Sequence, residues 1–379
     1  MVCVRKTIPD YVVLLVVVLP VALFVFPGTG IQAAEPLRIA AVGDIMMGTT
    51  YPREDLPPED GKGIFDGVEP LLKGHDIVFG NLEGPLIDGG KARKCKPGKS
   101  GKNLCFEFRM PTRYAGYLRD AGFNVANITN NHLFDFGEEG VNSTLKALGL
   151  VSVKPVGGEQ VARFAVKGGM VAVVGFSFCA VPPYGYSILD IEDAKAVVAS
   201  LKKERNIVIV SFHGGAEGKQ ALRLPEEAEY FAGEARGDVA RFSRSVIEAG
   251  ADLVLGHGPH VPRALEIYRG KLIAYSLGNF CTYGAFNIRG PNGLSFILQA
   301  SLDPETGDFL SGKIVPLRLE NRGIPVLDEG KESVRLIREL TEKDGRSTSV
   351  LIADDGEVRP FQTASCSEDP LPLLTIPFP

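Results

Sequence analysis

The chain has 379 residues, 45% of them hydrophobic and 23% charged, with a formal net charge of -5. That length and apolar content allow a large buried core and exclude a disordered or low-complexity chain. The mild acidity leaves no basic footprint for nucleic acid, so no nucleic-acid partner is expected.

At the N-terminus Arg5 and Lys6 precede an apolar run from Tyr11 to Phe26, followed by small and turn-forming residues. This is the layout of a secretory signal. The run counts 16 residues and contains Pro20, which is short for a spanning helix of about 20 residues. Ala33 and Ala34 offer a processing site, whereas Ile31 is a poor small residue two positions before Ala33. Residues 1–34 are therefore read as a signal peptide or an uncleaved membrane anchor, and the rest of the chain is expected outside the cytoplasm, periplasmic or at the cell surface.

From Leu37 short apolar runs alternate with helical patterns. "LRIAAVGD" reads as a strand, "VEPLLKG" as a short helix and "HDIVFGN" as a second strand. A loop rich in Gly, Pro and Lys follows, then the helix "PTRYAGYLRDAG" with Pro111 near its first turn, the strand "FNVANITN" and the helix "GEEGVNSTLKALGL". "RFAVKGGMVAVVGFSF" reads as a hairpin turning at Lys167 to Gly169. Two helix–strand pairs come next, "EDAKAVVASLKKE" with "NIVIVSFH" and "DVARFSRSVIEAG" with "ADLVLGHG". Two further hairpins close the pattern near Glu320, so a layered α/β core of mixed sheets flanked by helices is expected over residues 35–320. Residues 321–379 hold one helix, "KESVRLIRELTEK", a hairpin around Asp355-Gly356 and a Pro-rich end. They are read as a C-terminal extension.

Export changes how the cysteines are read, because thiols outside the cytoplasm tend to pair. Cys95 and Cys105 bracket a loop without a hydrophobic pattern, and a disulfide is expected there. Their spacing fits no common zinc pattern, and the loop has no His. The segment "KARKCKPGKSGK" holds six basic residues and no acidic ones. It is either a solvated loop or, through Lys94, Lys96, Lys99 and Lys102, one that attracts an anionic polymer or lipid headgroup.

In α/β folds ligands lie beyond the carboxyl ends of strands. Five strand ends here carry polar residues: Asp44 on the first, Asn81 and Glu83 on the second, and Asn131 with His132 after the third; His213 ends "NIVIVSF", and His257 and His260 follow "ADLVLG". Carboxylate and amide oxygens combined with imidazoles suit a borderline divalent cation, manganese, zinc or iron, and no Cys takes part. One or two ions are expected. A metal pair can activate water and stabilise charge on attacking and leaving oxygens, while an unligated His protonates the leaving group. Asn279 in "SLGNF" either supports the site by hydrogen bonding or shapes a turn.

"AVGDIMMG", "FGNLEGPL", "AGFNVANITNNHLFDFG", "SFHGGAE", "GADLVLGHGPHV" and "YSLGNF" resemble, in order, the motifs of the CapA family of capsule and poly-gamma-glutamate synthesis proteins, which is similar to the calcineurin-like metallophosphoesterases. The resemblance implies a metallophosphoesterase-like sandwich in which Asp44 and His260 serve one metal, Asn131, His213 and His257 the other, and Glu83 bridges. It assigns His132 as the acid-base residue and Asp135 as the group that orients it. Met46 stands where the phosphoesterases have a His ligand, so the first metal loses one. An anionic extracellular polymer or its precursor is the partner so implied, acted on by a metal-dependent hydrolase or transferase. The other reading is a non-catalytic subunit of a membrane complex for polymer synthesis and export.

Overall fold

The computed structural model describes residues 34–95, 105–204, 206–346 and 349–361. The expected N-terminal signal or anchor, and Lys96, Lys99 and Lys102, lie outside these residues. Among the described residues no helix is long and apolar enough to cross a membrane.

Two mixed sheets pack face to face between outer helices, the layered α/β sandwich that the strand–helix alternation predicts. The larger sheet has ten strands. Leu37–Met46 is central, with Ile77–Leu82, Val125–Asn127 and Lys154–Val156 parallel on one side. On the other side Leu294–Leu302, Phe309–Glu320, Glu357–Pro360 and Val350–Ile352 continue antiparallel. In the second sheet, of seven strands, Gly169–Ser177, Asn206–His213, Leu253–His257 and Lys271–Ala274 run parallel in that spatial order.

Period-two alternation decides what each strand shows to the space between the sheets. Ile39, Ala41, Ile77, Phe79 and Val125 from the first sheet meet Ile207, Ile209, Leu253 and Leu255 from the second in one apolar core. Opposite faces pack on helices: Tyr114–Asp120 and Gly137–Leu150 cover the first sheet, Ile191–Lys203 and Val239–Glu248 the second. Each of the two helices on the second sheet begins at an aspartate cap: Asp190 and Asp238 accept hydrogen bonds from the amides of Asp193 and Arg241.

The described part of the segment read as an extension, residues 321–346 and 349–361, is built into the same sandwich. Ile324–Leu327 and Glu357–Pro360 pair with Phe309–Glu320, and helix Glu332–Lys343 inserts Val334 and Ile337 into the inter-sheet core. Its apolar face is complementary to a core that the strands alone leave open at that end.

Candidate metal centre

The alternation that buries Ile77 and Phe79 brings Asn81 to the same face, just as Val125 leads to Asn127, Ile207 and Ile209 to Ser211 and His213, and Leu253 and Leu255 to His257. The apolar core therefore ends in a polar layer at the carboxyl ends of the strands. The first strand would present Gly43 there, but its register against Ile77–Leu82 shifts between Ala41 and Asp44, so one extra residue turns Asp44 inward instead. Gly43 is required at this bulge: a Cβ would lie 1.9 Å from the Gly278 carbonyl oxygen, the acceptor of the Asp44 amide. Register then sets Asp44 beside Asn81 and Asn279, and His213 beside His257.

Asp44 is the hub. Its Oδ1 accepts a 2.8 Å hydrogen bond from Asn81 Nδ2 and lies 3.5 Å from His257 Nδ1, while Oδ2 is 2.9 Å from His260 Nδ1. His260 also lies 3.2 Å from Asn279 Oδ1, and its Nε2 is 3.6 Å from Glu83 Oε1. The same Glu83 oxygen is 3.8 Å from His213 Nε2. One donor atom from each of Asp44, Glu83 and His213 fits within 4.8 Å of the others. His260 reaches the cluster from a tight turn, with Gly258 at φ 111° and His260 itself left-handed at 57°.

The unsatisfied atoms test whether a cation fits. Both Glu83 carboxylate oxygens, Asn131 Oδ1, His213 Nε2 and both His257 ring nitrogens are buried without a hydrogen-bond partner among the described residues. Buried polar groups are rarely left unpaired, and these are all oxygen or imidazole donors of the class that binds borderline divalent ions. Burial and the Asp44 charge push the Glu83 carboxyl well above its usual range. Burial would raise Asp44 too, but the neighbouring His257 and His260 imidazoles hold it low. His213 is kept neutral by burial. Burial opposes a charge on His260, yet Glu83 and Asp44 outweigh it and raise that imidazole to about 10. A divalent cation would supply the positive charge that protons provide here.

His132 stands beside the cluster. Its Nδ1 lies 2.8 Å from Asp135 Oδ2, which also accepts the Phe108 amide, and the Phe108 ring packs over the imidazole at 4.4 Å. Burial lowers its pKa and the Asp135 charge opposes that. His132, Asn131 and His260 line a cavity of about 1120 Å³ together with Phe108, Phe178 and Phe286.

Thus Asp44, Asn81, Glu83, Asn131, His132, Asp135, His213, His257, His260 and Asn279 gather in one region. Met46 is fully buried among the apolar residues of the helix-side core. Asn279 does contact His260, and its Nδ2 donates to the Asn292 carbonyl, which holds the following loop. Cys95 and Cys105 are bonded, with an S–S distance of 2.06 Å. Lys94 turns inward, its Nζ 3.2 Å from His132 Nδ1. Sequence reasoning passed over Asn127 and Asn130, which both donate to Asn81 Oδ1 and lock its amide. It also passed over Arg263, fully buried and paired with Glu229, which fixes the loop after His213 through the carbonyls of Ala216 and Ala221.

Residues 38–283, a stretch that contains every one of these groups, match the family described as "Bacterial capsule synthesis protein PGA_cap". The chain belongs to this family. Among its relatives, the PGA biosynthesis protein CapA of Bacillus subtilis (strain 168) is 28% identical over 344 residues, covering 86% of this chain and 82% of the relative. The capsule biosynthesis protein CapA of Bacillus anthracis is 28% identical over 306 residues, 73% of this chain and 69% of that one. A crystal structure of a phosphatase from Mycoplasma pneumoniae aligns with 80% of this chain and 100% of its own, at 14% identity and a TM-score of 0.45.

Proposed function

We propose that this member of the PGA_cap family is an exported, divalent-metal-dependent hydrolase or transferase acting on an anionic capsular polymer of the poly-gamma-glutamate kind, or on its precursor. The observation that carries the reading is the set of buried, unpaired donor atoms on Glu83, Asn131, His213 and His257, gathered around Asp44 and His260. Asp44, Glu83, Asn131, His213, His257 and His260 are the residues that would hold one or two ions of manganese, zinc or iron. When bound, such ions activate water and neutralise anionic oxygens.

The remaining groups divide the work. Asn81 holds Asp44 by its amide, and Asn127 and Asn130 keep that amide from turning. Asp135 fixes His132 through Nδ1, leaving Nε2 without a protein partner among the described residues and so available to pass a proton to the leaving group. Phe108 covers the ring and keeps water from its face. Cleavage of an amide or of a phosphoester is served by these roles alike. Export is supported by the apolar run Tyr11 to Phe26 and by the bonded Cys95–Cys105 pair.

One observation favours the second reading, a polymer-binding subunit that keeps the metal for structure: Met46 stands where the phosphoesterases that the motifs resemble have a His ligand. Turnover decides between them. The metal-loaded protein is assayed on phosphoester and gamma-glutamyl substrates alongside His132→Ala. The enzyme reading expects activity that falls about 10²- to 10⁴-fold in the variant with metal content unchanged. Bound metal with no turnover of either substrate, and a variant that still supports capsule formation, establishes the subunit reading instead.

A further inference from the structure

Lys94 is attached to the site in a way that a solvated loop lysine is not. Its Nζ lies 3.2 Å from His132 Nδ1 and 3.5 Å from Asp135 Oδ1, and its side chain stays 27% exposed at the cavity wall. Both contacts are longer than the roughly 2.7–2.9 Å of a charge-assisted hydrogen bond. Asp135 is engaged through Oδ2 by His132 and by the Phe108 amide, while its Oδ1, which faces Lys94 at 3.5 Å, is buried without a hydrogen-bond partner among the described residues. An ammonium has three donors, and these contacts do not satisfy them. Arg236, another cation of the same cavity, is matched by the protein itself, with Glu217 at 2.8 Å and Glu234 at 3.2 Å. Lys94 is thus placed to accept a partner that arrives with the substrate.

What holds it there is equally specific. The Arg93 amide donates to the Asp135 carbonyl and the Cys95 amide to Glu107 Oε1, so Lys94 sits between two backbone anchors. The next residue, Cys95, is bonded to Cys105, and three residues on Phe108 is tied to Asp135. The disulfide therefore ties the strand of chain that carries Lys94 to the one that covers His132. Closing this loop covalently lowers the entropy lost in ordering both.

We propose that Lys94 is a substrate-anchoring residue which receives an anionic oxygen, carboxylate or phosphoryl, beside the His132–Asp135 pair, and that it is presented for this only while the Cys95–Cys105 disulfide is closed. The proposal rests on the reading of the cluster as a metal centre next to a substrate cavity. It turns the site into one that is complete in an oxidising compartment and incomplete in a reducing one.

The test is anion binding by the full chain, loaded with manganese and titrated calorimetrically with inorganic phosphate and, in a second arm, with a short gamma-linked glutamate oligomer. For the preferred anion, Lys94→Gln should raise Kd by about tenfold or more and flatten its salt dependence. Lys94→Arg should stay within about threefold of wild type, since it keeps the charge. Dithiothreitol-reduced protein and Cys95→Ser/Cys105→Ser should show the Lys94→Gln weakening, and adding Lys94→Gln to the serine pair should bring no further loss. Melting curves and metal content are recorded for every sample, so that unfolding is not mistaken for lost anchoring. Wild-type affinity in Lys94→Gln, or no binding of either anion by a folded wild type, overturns the assignment of Lys94. Undiminished binding by the reduced, folded protein overturns the disulfide part. A wild type that holds no metal defeats the metal-centre reading, and the same titration of the metal-free chain then judges Lys94 by itself.

Discussion

At the scale of single residues the site is a problem of charge. Two fully buried carboxylates and three imidazoles share a small volume, and without a cation the strain is relieved by protons: Glu83 is pushed up by burial and by Asp44, and His260 is raised to about 10 by the two carboxylates although burial opposes it. Both groups have to give up a proton before they ligate, whereas His213, lowered by burial, is already neutral. Metal affinity should therefore increase as pH rises from about 6 to about 8, by up to about tenfold per pH unit for each proton released. Competition against a chelating dye at both pH values measures this, and equal affinities would contradict the charge balance described. The candidate ligand types were legible in the sequence because Asp, Glu and His end apolar runs. Asn127 and Asn130 were not, since an Asn next to a turn is usually a turn former. Lys94 was read as part of a basic loop, either solvated or attracting an anion, and only the fold reveals that its neighbours turn it toward His132.

At the scale of elements, each strand delivers its polar residue by continuing the alternation that buries its aliphatic ones, so strand register and site geometry are the same fact. The first strand is the exception that depends on a bulge. Gly43→Ala places a methyl group 1.9 Å from the Gly278 carbonyl oxygen, and relief of that clash should cost about 1–3 kcal/mol. The expected result is a lower melting temperature together with weakened metal binding, because Asp44 loses its inward position; a variant with wild-type stability and metal content would show that the bulge is dispensable. Long strands and helices were readable from period and caps; helix Gly137–Leu150 and strand Asn206–His213 coincide with their sequence patterns. Lys154–Val156, Asn279–Thr282 and the hairpin Glu229–Phe231 with Glu234–Gly237 were not, having only three or four residues each. Runs that short carry no periodicity, and tertiary pairing alone makes them strands.

At the scale of the whole molecule, two sheets enclose an apolar core that ends in the polar layer of candidate ligands, and described residues beyond Glu320 close one edge of that core. Val334, Ile337, Val350, Ile352 and Val358 are buried there. Exposing five such side chains at about 1.5–3 kcal/mol each would consume most or all of a stability that is typically about 5–15 kcal/mol. A chain ended after Arg322 should accordingly be insoluble or molten by circular dichroism, and a cooperative, wild-type melting transition would return this segment to the status of an independent extension. Its role was not legible because its helix and hairpin look self-contained in sequence, and only the core shows what they cover. The central claim, that side chains from strand ends across both sheets hold divalent metal, is tested most directly by metal analysis of the purified full chain beside Asp44→Ala/His213→Ala. The account predicts one or two divalent ions per wild-type chain, retained on dialysis, and a loss of most of that metal in the folded variant. No retained metal in the wild type after incubation with manganese, zinc or iron, or the same content in both proteins, would contradict it.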